Sequence, residues 1–386
     1  MLFHNLLLTT TGEGGLHLLH ENQCYQLDSL GSTGISEQDG LLLRAVQPGT
    51  LIIYGHNHLQ KHSNSWDDIH DVLFENGQIW LISSTHNHIL ELNQEGVEKK
   101  RWKFSSIEDS WHLNCLARWQ GRMVFSAFGE FHAYRGYKEG TERTGFVQDL
   151  ETGRKLVTGL SQPHSLALLN DDLLLANSQT GSIRQYDAKG ILIREKQLNG
   201  YTRGIAITEQ FIYVGLSASR NVDTFNADCA EIVAIDRNTL AECGRLKVPN
   251  REIYGILPIH DQLHMRIIMA QIAKDSVHHL QTILKDYAAI KSDHDEKVAR
   301  LQREADEQKE TTIKLNELIH HQEQKAAELE ERNVANEKAL DLKQQNIAML
   351  QHELLDILAS RSWVYTRPLR RILNRIRALT KRPRNG

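Results

Sequence analysis

The sequence predicts an all-β propeller of about six blades, followed by a long α-helical parallel coiled coil and a short basic amphipathic helix. Three observations carry this. Of the 25 glycines, 24 lie at or before Gly255, and none occurs from Ile256 to Asn385. Within the glycine-punctuated part, short apolar segments return at a spacing of roughly 40–50 residues, the period of propeller blades. Beyond it, a seven-residue apolar repeat runs from Val277 to Ile357. The predicted divisions are residues 1–260 for the propeller, 261–276 for a linker helix, 277–358 for the coiled coil and 359–386 for the tail.

Length and charge bound the function classes. A chain of 386 residues suits two or three domains. A net charge of -4 excludes a bulk basic footprint, so no nucleic-acid partner is expected. The charge is nonetheless divided: residues 1–265 carry net -8, whereas residues 361–386 hold nine basic and no acidic residues. Apolar runs such as Gly40 to Val46 fall far short of the ~20 residues of a membrane-spanning helix. The first residues, MLFHNLLLTTTGEGG, lack the basic start and small-residue cleavage site of a secretory signal. Cys24, Cys115, Cys229 and Cys243 show no C-x-x-C spacing, which points to free thiols in a cytosolic protein.

The blade reading rests on parallel stretches. Ile69 to Asn93, Pro163 to Asp187 and Thr202 to Asp236 each run polar opening, apolar strand, turn, second apolar strand, turn and third strand. Asn5 to Gln26 and Gly40 to Leu59 look like degenerate further units. The innermost strand of a blade begins near the central axis, so the repeated openings should line one end of the channel. These are His70 and Asp71, His112 and Asn114, His164 and Ser165, Arg203, and Tyr254. The ends of the second strands add Ser83, Ser84, Thr85, His86, Ser126, Asn177, Ser178, Ser217, Ser219 and Arg220.

Three chemistries compete for this ring. His112, His164 and Arg203 suit acid–base work or grip on an anion, because imidazole titrates near neutrality and guanidinium matches carboxylate or phosphate. They are the catalytic candidates. His70, Asp71, Asn114, Ser165, Asn177, Arg220 and Tyr254 are the ligand-binding candidates. Imidazoles beside Asp71 could also take a divalent metal on an enzymatic reading, but no H-E-x-x-H or similar ligand spacing is present and no metal-ligand set is assigned. The simplest alternative is that these groups satisfy one another and mark blade joints. His56-Asn57-His58 and His86-Asn87-His88 place two imidazoles on one strand face, yet both sit near turns, where polar residues are common. No Gly-rich phosphate loop and no G-x-S-x-G elbow occurs.

Five separated motifs carry a family resemblance: Trp111-His112-Leu113-Asn114; Gly159-Leu160-Ser161-Gln162-Pro163-His164-Ser165; Asn177-Ser178-Gln179-Thr180-Gly181; Gly200-Tyr201-Thr202-Arg203-Gly204 with Val214-Gly215-Leu216-Ser217; and Ile253-Tyr254-Gly255. Over roughly residues 66–258 the chain resembles the DUF4915-type family of conserved bacterial proteins. The resemblance implies a propeller-like fold and association with polysaccharide synthesis, and it brings no reaction to His112, His164 or Arg203.

The rod follows one unbroken register. Its a positions run from Val277 and Leu284 to Leu354, its d positions from Leu280 and Tyr287 to Ile357, and 16 of the 24 are apolar. A helix this polar needs a partner for its seam, so a parallel dimer or trimer with other copies is expected. At ~1.5 Å per residue the rod would reach ~120 Å.

In the tail, Leu369, Ile372, Leu373, Ile376 and Leu379 share one helical face, flanked by Arg370, Arg371, Arg375, Arg377 and Lys381, with Trp363 and Arg367 ahead of Pro368. Such a helix lies in an anionic membrane interface or docks on a membrane-bound partner. Ser360 to Arg370 also resembles the S-x-S-W-r-x-T-x-P-L-R stretch of surface-polysaccharide glycosyltransferases and their coiled-coil partners. The expected function is therefore an oligomeric propeller on a stalk, peripheral on the cytoplasmic face of the plasma membrane. It would bind glycan or a glycosyltransferase in O-antigen or capsule assembly, with no cofactor required. The alternative is a glycan-modifying enzyme (lyase, hydrolase or epimerase) using the His/Arg channel.

Overall fold

The computed structural model describes residues 2–55, 59–63, 66–218, 228–260, 262–307 and 312–359. Two compact units divide the chain, residues 1–268 and 269–386. His56-Asn57-His58, Ser219, Arg220 and the tail residues Trp363, Arg367, Arg370, Arg371, Arg375, Arg377 and Lys381 lie outside the described residues.

The first unit is a six-bladed propeller in which every blade is a four-stranded antiparallel sheet. Blade one holds β1 (Leu6–Thr10), β2 (Gly15–His20) and β3 (Gln23–Gln26). Blade two holds β4 (Ser32–Gln38), β5 (Leu41–Val46), β6 (Thr50–Tyr54) and β7 (Leu59–Ser63). Blade three holds β8 (Ile69–Glu75), β9 (Gln78–Ser83), β10 (His88–Leu92) and β11 (Glu98–Lys103). Blade four holds β12 (Leu113–Trp119), β13 (Arg122–Ala127), β14 (Gly145–Asp149) and β15 (Lys155–Leu160). Blade five holds β16 (Pro163–Leu169), β17 (Asp172–Asn177), β18 (Ser182–Tyr186) and β19 (Leu192–Gln197). Blade six holds β20 (Tyr201–Ile207), β21 (Phe211–Ser217), β22 (Ala230–Asp236) and β23 (Glu242–Val248).

The ring closes through β24 (Gly255–Pro258), which pairs with β1 from Leu6↔Pro258 to Thr9↔Gly255 and becomes the innermost strand of blade one. Middle strands are buried beyond their first residue, as in β9 and β17, while the outermost strands β11 and β19 are charged and largely exposed. Charged outer edges oppose edge-to-edge association. The core lies between blades: Leu43 and Ile53 of blade two pack with Val72 and Leu81 of blade three, and Val124 and Val147 of blade four with Leu173 and Leu175 of blade five.

Small hydroxyls join each blade to the next. Thr9 Oγ1 donates to the Thr33 carbonyl and Thr33 Oγ1 to the Ile69 carbonyl. Ser84 Oγ donates to Leu113, Ser126 to Pro163, Ser178 to Thr202 and Ser217 to Ile253. Each acceptor lies at the start of the innermost strand of the following blade or, for Ile253, two residues before it. Ser84, Ser126, Ser178 and Ser217 are therefore joint residues, which explains the polar ends of the second strands. The sixth opening, Ser32-Thr33, is not among the openings read from the sequence, because blade two has no His, Arg or Tyr there of the kind that marks the other five. Just inside five of the six joints the innermost strands β4, β8, β12, β16 and β20 bulge, whereas β24 keeps an even register with β1. A bulge bends its strand and re-aims the side chains there.

Blades one and two, the weakest in sequence, are held by a buried ion pair. Arg44 spans Asp28 with Nη1–Oδ2 at 2.5 Å and Nη2–Oδ1 at 2.7 Å, and donates further to Ser32 Oγ and the Leu30 carbonyl.

The second unit corrects the rod. Helix α1 (Gln262–Glu307) and helix α2 (Thr312–Ala359) run antiparallel: Tyr287 Oη bonds the Leu329 carbonyl at 2.9 Å, Lys291 pairs with Glu330 at 2.6 Å and His294 Nε2 meets Gln322 Oε1 at 3.3 Å. The expected straight rod is a hairpin. Part of the expected register is matched by burial: Val277, Leu280, Leu284, Tyr287, Lys291 and His294 on α1, and Gln322, Ala326, Leu329, Asn333 and Leu340 on α2, are half-buried, whereas the register positions Asn336 and Lys343 are exposed. Seam residues meet seam residues of the same chain. Among the described residues no helix is long and apolar enough to cross a membrane.

Breaking a buried pair strands the remaining charge. Asp28→Asn is expected to cost about 3–5 kcal/mol in urea-induced unfolding, and a loss below 1 kcal/mol would contradict the role given to Arg44.

Candidate functional site

At one mouth of the channel the blade openings and neighbouring loops enclose a cavity of about 760 Å³. His70, His112, Arg203 and Tyr254 line it, joined by Asp67, Asp68, Thr85, Arg135, Tyr137, Lys138, Tyr201 and Glu252.

The backbone that presents these groups is unusual. Asp68 (φ 55°), Asp109 (φ 44°), His112 (φ 49°) and Arg135 (φ 53°) all adopt the left-handed conformation. Asp and His adopt it more readily than most residues, Arg rarely does, and such outliers cluster at functional sites. At His112 the geometry is held from two sides: Asn114 Nδ2 bonds its carbonyl at 2.8 Å, and its Nδ1 meets Asp109 Oδ1 at 2.7 Å. The other Asp109 oxygen accepts from Arg135 Nε and Tyr137 Oη, both at 2.8 Å. One carboxylate thus organises an imidazole, a guanidinium and a phenol.

His70 has its own acid. Its Nδ1 lies 3.3 Å from both the carbonyl and the carboxylate of Asp68. The His70 ring meets the His112 ring edge-on at 4.8 Å and the Tyr254 ring at 5.7 Å. Arg203 lies over the Tyr254 ring at 4.4 Å, pairs with Glu252 at 3.2 Å and donates from Nη2 to His164 Nε2 at 3.0 Å. Guanidinium has no acceptor, so His164 Nε2 must be the lone-pair nitrogen and Nδ1 carries the proton. That proton faces the Gln162 carbonyl at 3.0 Å and Ser178 Oγ at 2.8 Å, tying the ring to a blade joint.

The titrations follow. Burial and the Arg203 charge hold His164 well below the ordinary imidazole range, so it stays neutral. His112 is also lowered by burial, with Asp109 opposing and the neighbouring His70 charge adding to the shift. His70 moves the other way: burial disfavours its charge, but the Asp68 carboxylate outweighs that and raises it. Asp68 is half-buried, which raises it, yet the imidazoles and Arg135 hold it below the usual carboxylate range.

The remaining candidates serve the frame. Asp71 accepts the backbone N–H of Val72 at 3.0 Å and that of Leu116, in the next blade, at 2.9 Å; burial pushes its carboxyl up to about 7. Ser165 Oγ accepts from Gly204 N at 2.7 Å, again across blades. Asn177 spans Ser161 N and Thr180 Oγ1, each at 2.7 Å. Asn114 is buried beside His112, with its Oδ1 unbonded among the described residues. His86 and His88 sit 5.7 Å apart, His86 facing Asp67, away from any converging ligand set. No group of three or more His, Cys, Asp or Glu that could hold a metal is found among the described residues.

Sequence reasoning missed Asp68, Asp109, Glu252, Arg135, Tyr137 and Tyr201. A signal existed for the acids: each stands two or three residues ahead of an opening, in Asp68-x-His70, Asp109-x-x-His112 and Glu252-x-Tyr254.

The sequence matches the domain of unknown function DUF4915 over residues 60–261, more than half of the chain. The chain belongs to this family. The match takes in the strands from β8 to β24 and all of the cavity residues from Asp67 onward. No curated protein matches the sequence. Among solved structures, a protein of unknown function from Bacteroides caccae is 15% identical, with a TM-score of 0.51 over 67% of this chain and 100% of that one. The nidogen/laminin complex gives 11% identity and a TM-score of 0.50 over 65% of this chain and 97% of that one. At these identities the likeness concerns the fold alone.

The opposite shifts of Asp68 and His70 give a signed pH prediction. Asp68 contributes stability above its ordinary value of 3.8, lost as pH falls further. His70 contributes below its ordinary value of 6.5, lost as pH rises through its raised value. The pair therefore stabilises most between these values. Asp68→Asn is expected to flatten the loss of stability from pH 6 to pH 9, measured by urea unfolding midpoints; an unchanged slope would contradict the pairing.

Proposed function

We propose that this chain is a propeller-headed component of bacterial cell-surface polysaccharide assembly, in O-antigen or capsule production, and that it binds glycan, presented free or by a glycosyltransferase, at the cytoplasmic face of the membrane. The observation that carries the reading is the cavity wall. Tyr137, Tyr201 and Tyr254 alternate there with Asp68, Glu252, Arg203 and two imidazoles. Aromatic faces suit the C–H faces of a pyranose, and carboxylates with fixed donors suit its hydroxyls. The polysaccharide context comes from the resemblance of Ser360 to Arg370 to glycosyltransferase tails, and the membrane from nine cations without an acid in residues 361–386.

Self-association completes the proposal. With the seam engaged inside the hairpin, Ile283 and Ile290 on α1 and Val334 and Leu342 on α2 stay exposed. Two or three copies packing hairpin against hairpin would cover them. A second reading, a glycan-modifying enzyme, is favoured by one observation: two cavity imidazoles are each held by a carboxylate.

Titration calorimetry of the full chain with O-antigen or capsular oligosaccharides is expected to show binding. Tyr254→Ala should weaken it about tenfold or more, roughly 1.4 kcal/mol; an unaltered affinity would refute the assignment of the cavity. Deleting residues 361–386 is expected to abolish co-sedimentation with phosphatidylglycerol-containing vesicles and leave the unfolding transition of the propeller in place. Retained vesicle binding would remove the tail from the proposal.

A further inference from the structure

We propose that His70 and His112 form an acid–base couple that cleaves a uronate-containing glycan in this cavity by β-elimination. The inference rests on the glycan-binding reading and gives it a substrate class and a reaction.

The geometry assigns the nitrogens. Nδ1 of His112 is taken by Asp109 at 2.7 Å, and Nδ1 of His70 by Asp68 at 3.3 Å. Among the described residues no protein group bonds Nε2 of either ring, so Nε2 is the nitrogen each ring offers to the cavity. A carboxylate on Nδ1–H fixes the tautomer: Nε2 is a lone pair in the neutral ring and an N–H donor in the charged one. The rings stand 4.8 Å apart, where two positive charges repel, so beyond the Nδ1 proton of each ring the couple shares a single Nε2 proton.

Surroundings decide which ring holds it. His70 faces Asp68, Arg203 and Tyr254; His112 faces Asp109, Tyr137 and Phe128. Asp109 divides its charge among His112, Arg135 and Tyr137. The balance favours a charged His70 and a neutral His112, and neighbouring groups whose affinities for protons are pushed apart are the mark of an acid and a base.

The cations choose the substrate. Arg135 is engaged with Asp109 and Arg203 with Glu252. Lys138 lines the same cavity without a carboxylate partner among the described residues. An anionic ligand group would supply that partner, and a sugar carboxylate also acidifies the carbon beside it. His112 Nε2 takes the proton from that carbon. The C–H electron pair becomes a double bond to the next carbon, whose C–O bond breaks. The departing oxygen receives the bond pair and the Nε2 proton of His70. No water, oxidant or reductant enters, and passage of a proton from His112 to His70 resets the pair. His70 and His112 open neighbouring blades, so both nitrogens approach from one wall. Proton and oxygen leave the same face of the sugar, which excludes a mechanism needing groups on opposite faces.

The test uses the full chain with heparosan, mannuronate-rich alginate and hyaluronan, whose uronates carry the C5 proton and the C4 oxygen on one face, following the ultraviolet absorbance of the conjugated unsaturated uronate. Product from at least one is expected, with a bell-shaped pH profile. His112→Gln and His70→Gln should each lose about 100-fold or more in rate while keeping the wild-type unfolding transition. Because a variant could misfold, ring titrations of the wild-type protein by NMR provide a second readout: His70 should titrate above His112, and single-step titration of both rings at one pH would overturn the couple. Absence of unsaturated product from all three polymers, with glycan binding intact, would overturn the reaction and leave the binding reading. Absence of glycan binding would overturn both.

Discussion

A single hydrogen bond, repeated six times around the ring, governs this propeller: a serine or threonine hydroxyl gives its proton to the carbonyl that opens the next blade. The donor is buried and the acceptor belongs to another sheet, so a missing hydroxyl would leave an unsatisfied carbonyl inside the protein, a cost of about 1–3 kcal/mol. The bond also fixes where each innermost strand begins. Just beyond it, in five of the six blades, the strand bulges, and the bulge turns His70, His164 and Arg203 away from the blade. Site geometry is thus a property of the joints before it is a property of the side chains.

On that frame the cavity floor is built from charges that are individually answered. His70 has Asp68, Arg135 has Asp109, and Arg203 has Glu252. Buried charges are tolerated only when paired and hydrogen-bonded. Here the pairing has a second effect, since each carboxylate also orients the ring or fork that it neutralises. His164 is the exception that fits the rule: with Arg203 on one nitrogen and a carbonyl and hydroxyl on the other, it is held as a neutral spacer under the floor.

Much of this was legible in the sequence. Turn residues and apolar strands set the blade period, and His70, His112, Arg203 and Tyr254 were placed at the mouth because an innermost strand starts there. Asp71, Ser165 and Asn177 were harder to sort, because a polar residue that stitches backbone to backbone looks like one that meets a ligand. The acids at 68, 109 and 252 escaped notice since loops carry no period, although their offset from each opening is regular. In the helical unit the heptad marks a stripe and leads to the expectation of a parallel partner from another copy, whereas α2 of the same chain lies antiparallel against α1. A second helix of the same chain covers such a stripe as another molecule would, and the pairs Tyr287–Leu329, Lys291–Glu330 and His294–Gln322 distinguish the two.

The pairing of β1 with β24 has a consequence for biosynthesis. A chain made from its amino end completes the outer three strands of blade one early, yet their innermost companion is translated only after all five other blades. Throughout that interval β1 presents bare amide and carbonyl groups, the feature that invites strand exchange between nascent chains. The segment matched by the family, residues 60–261, contains β24 but not its partner β1.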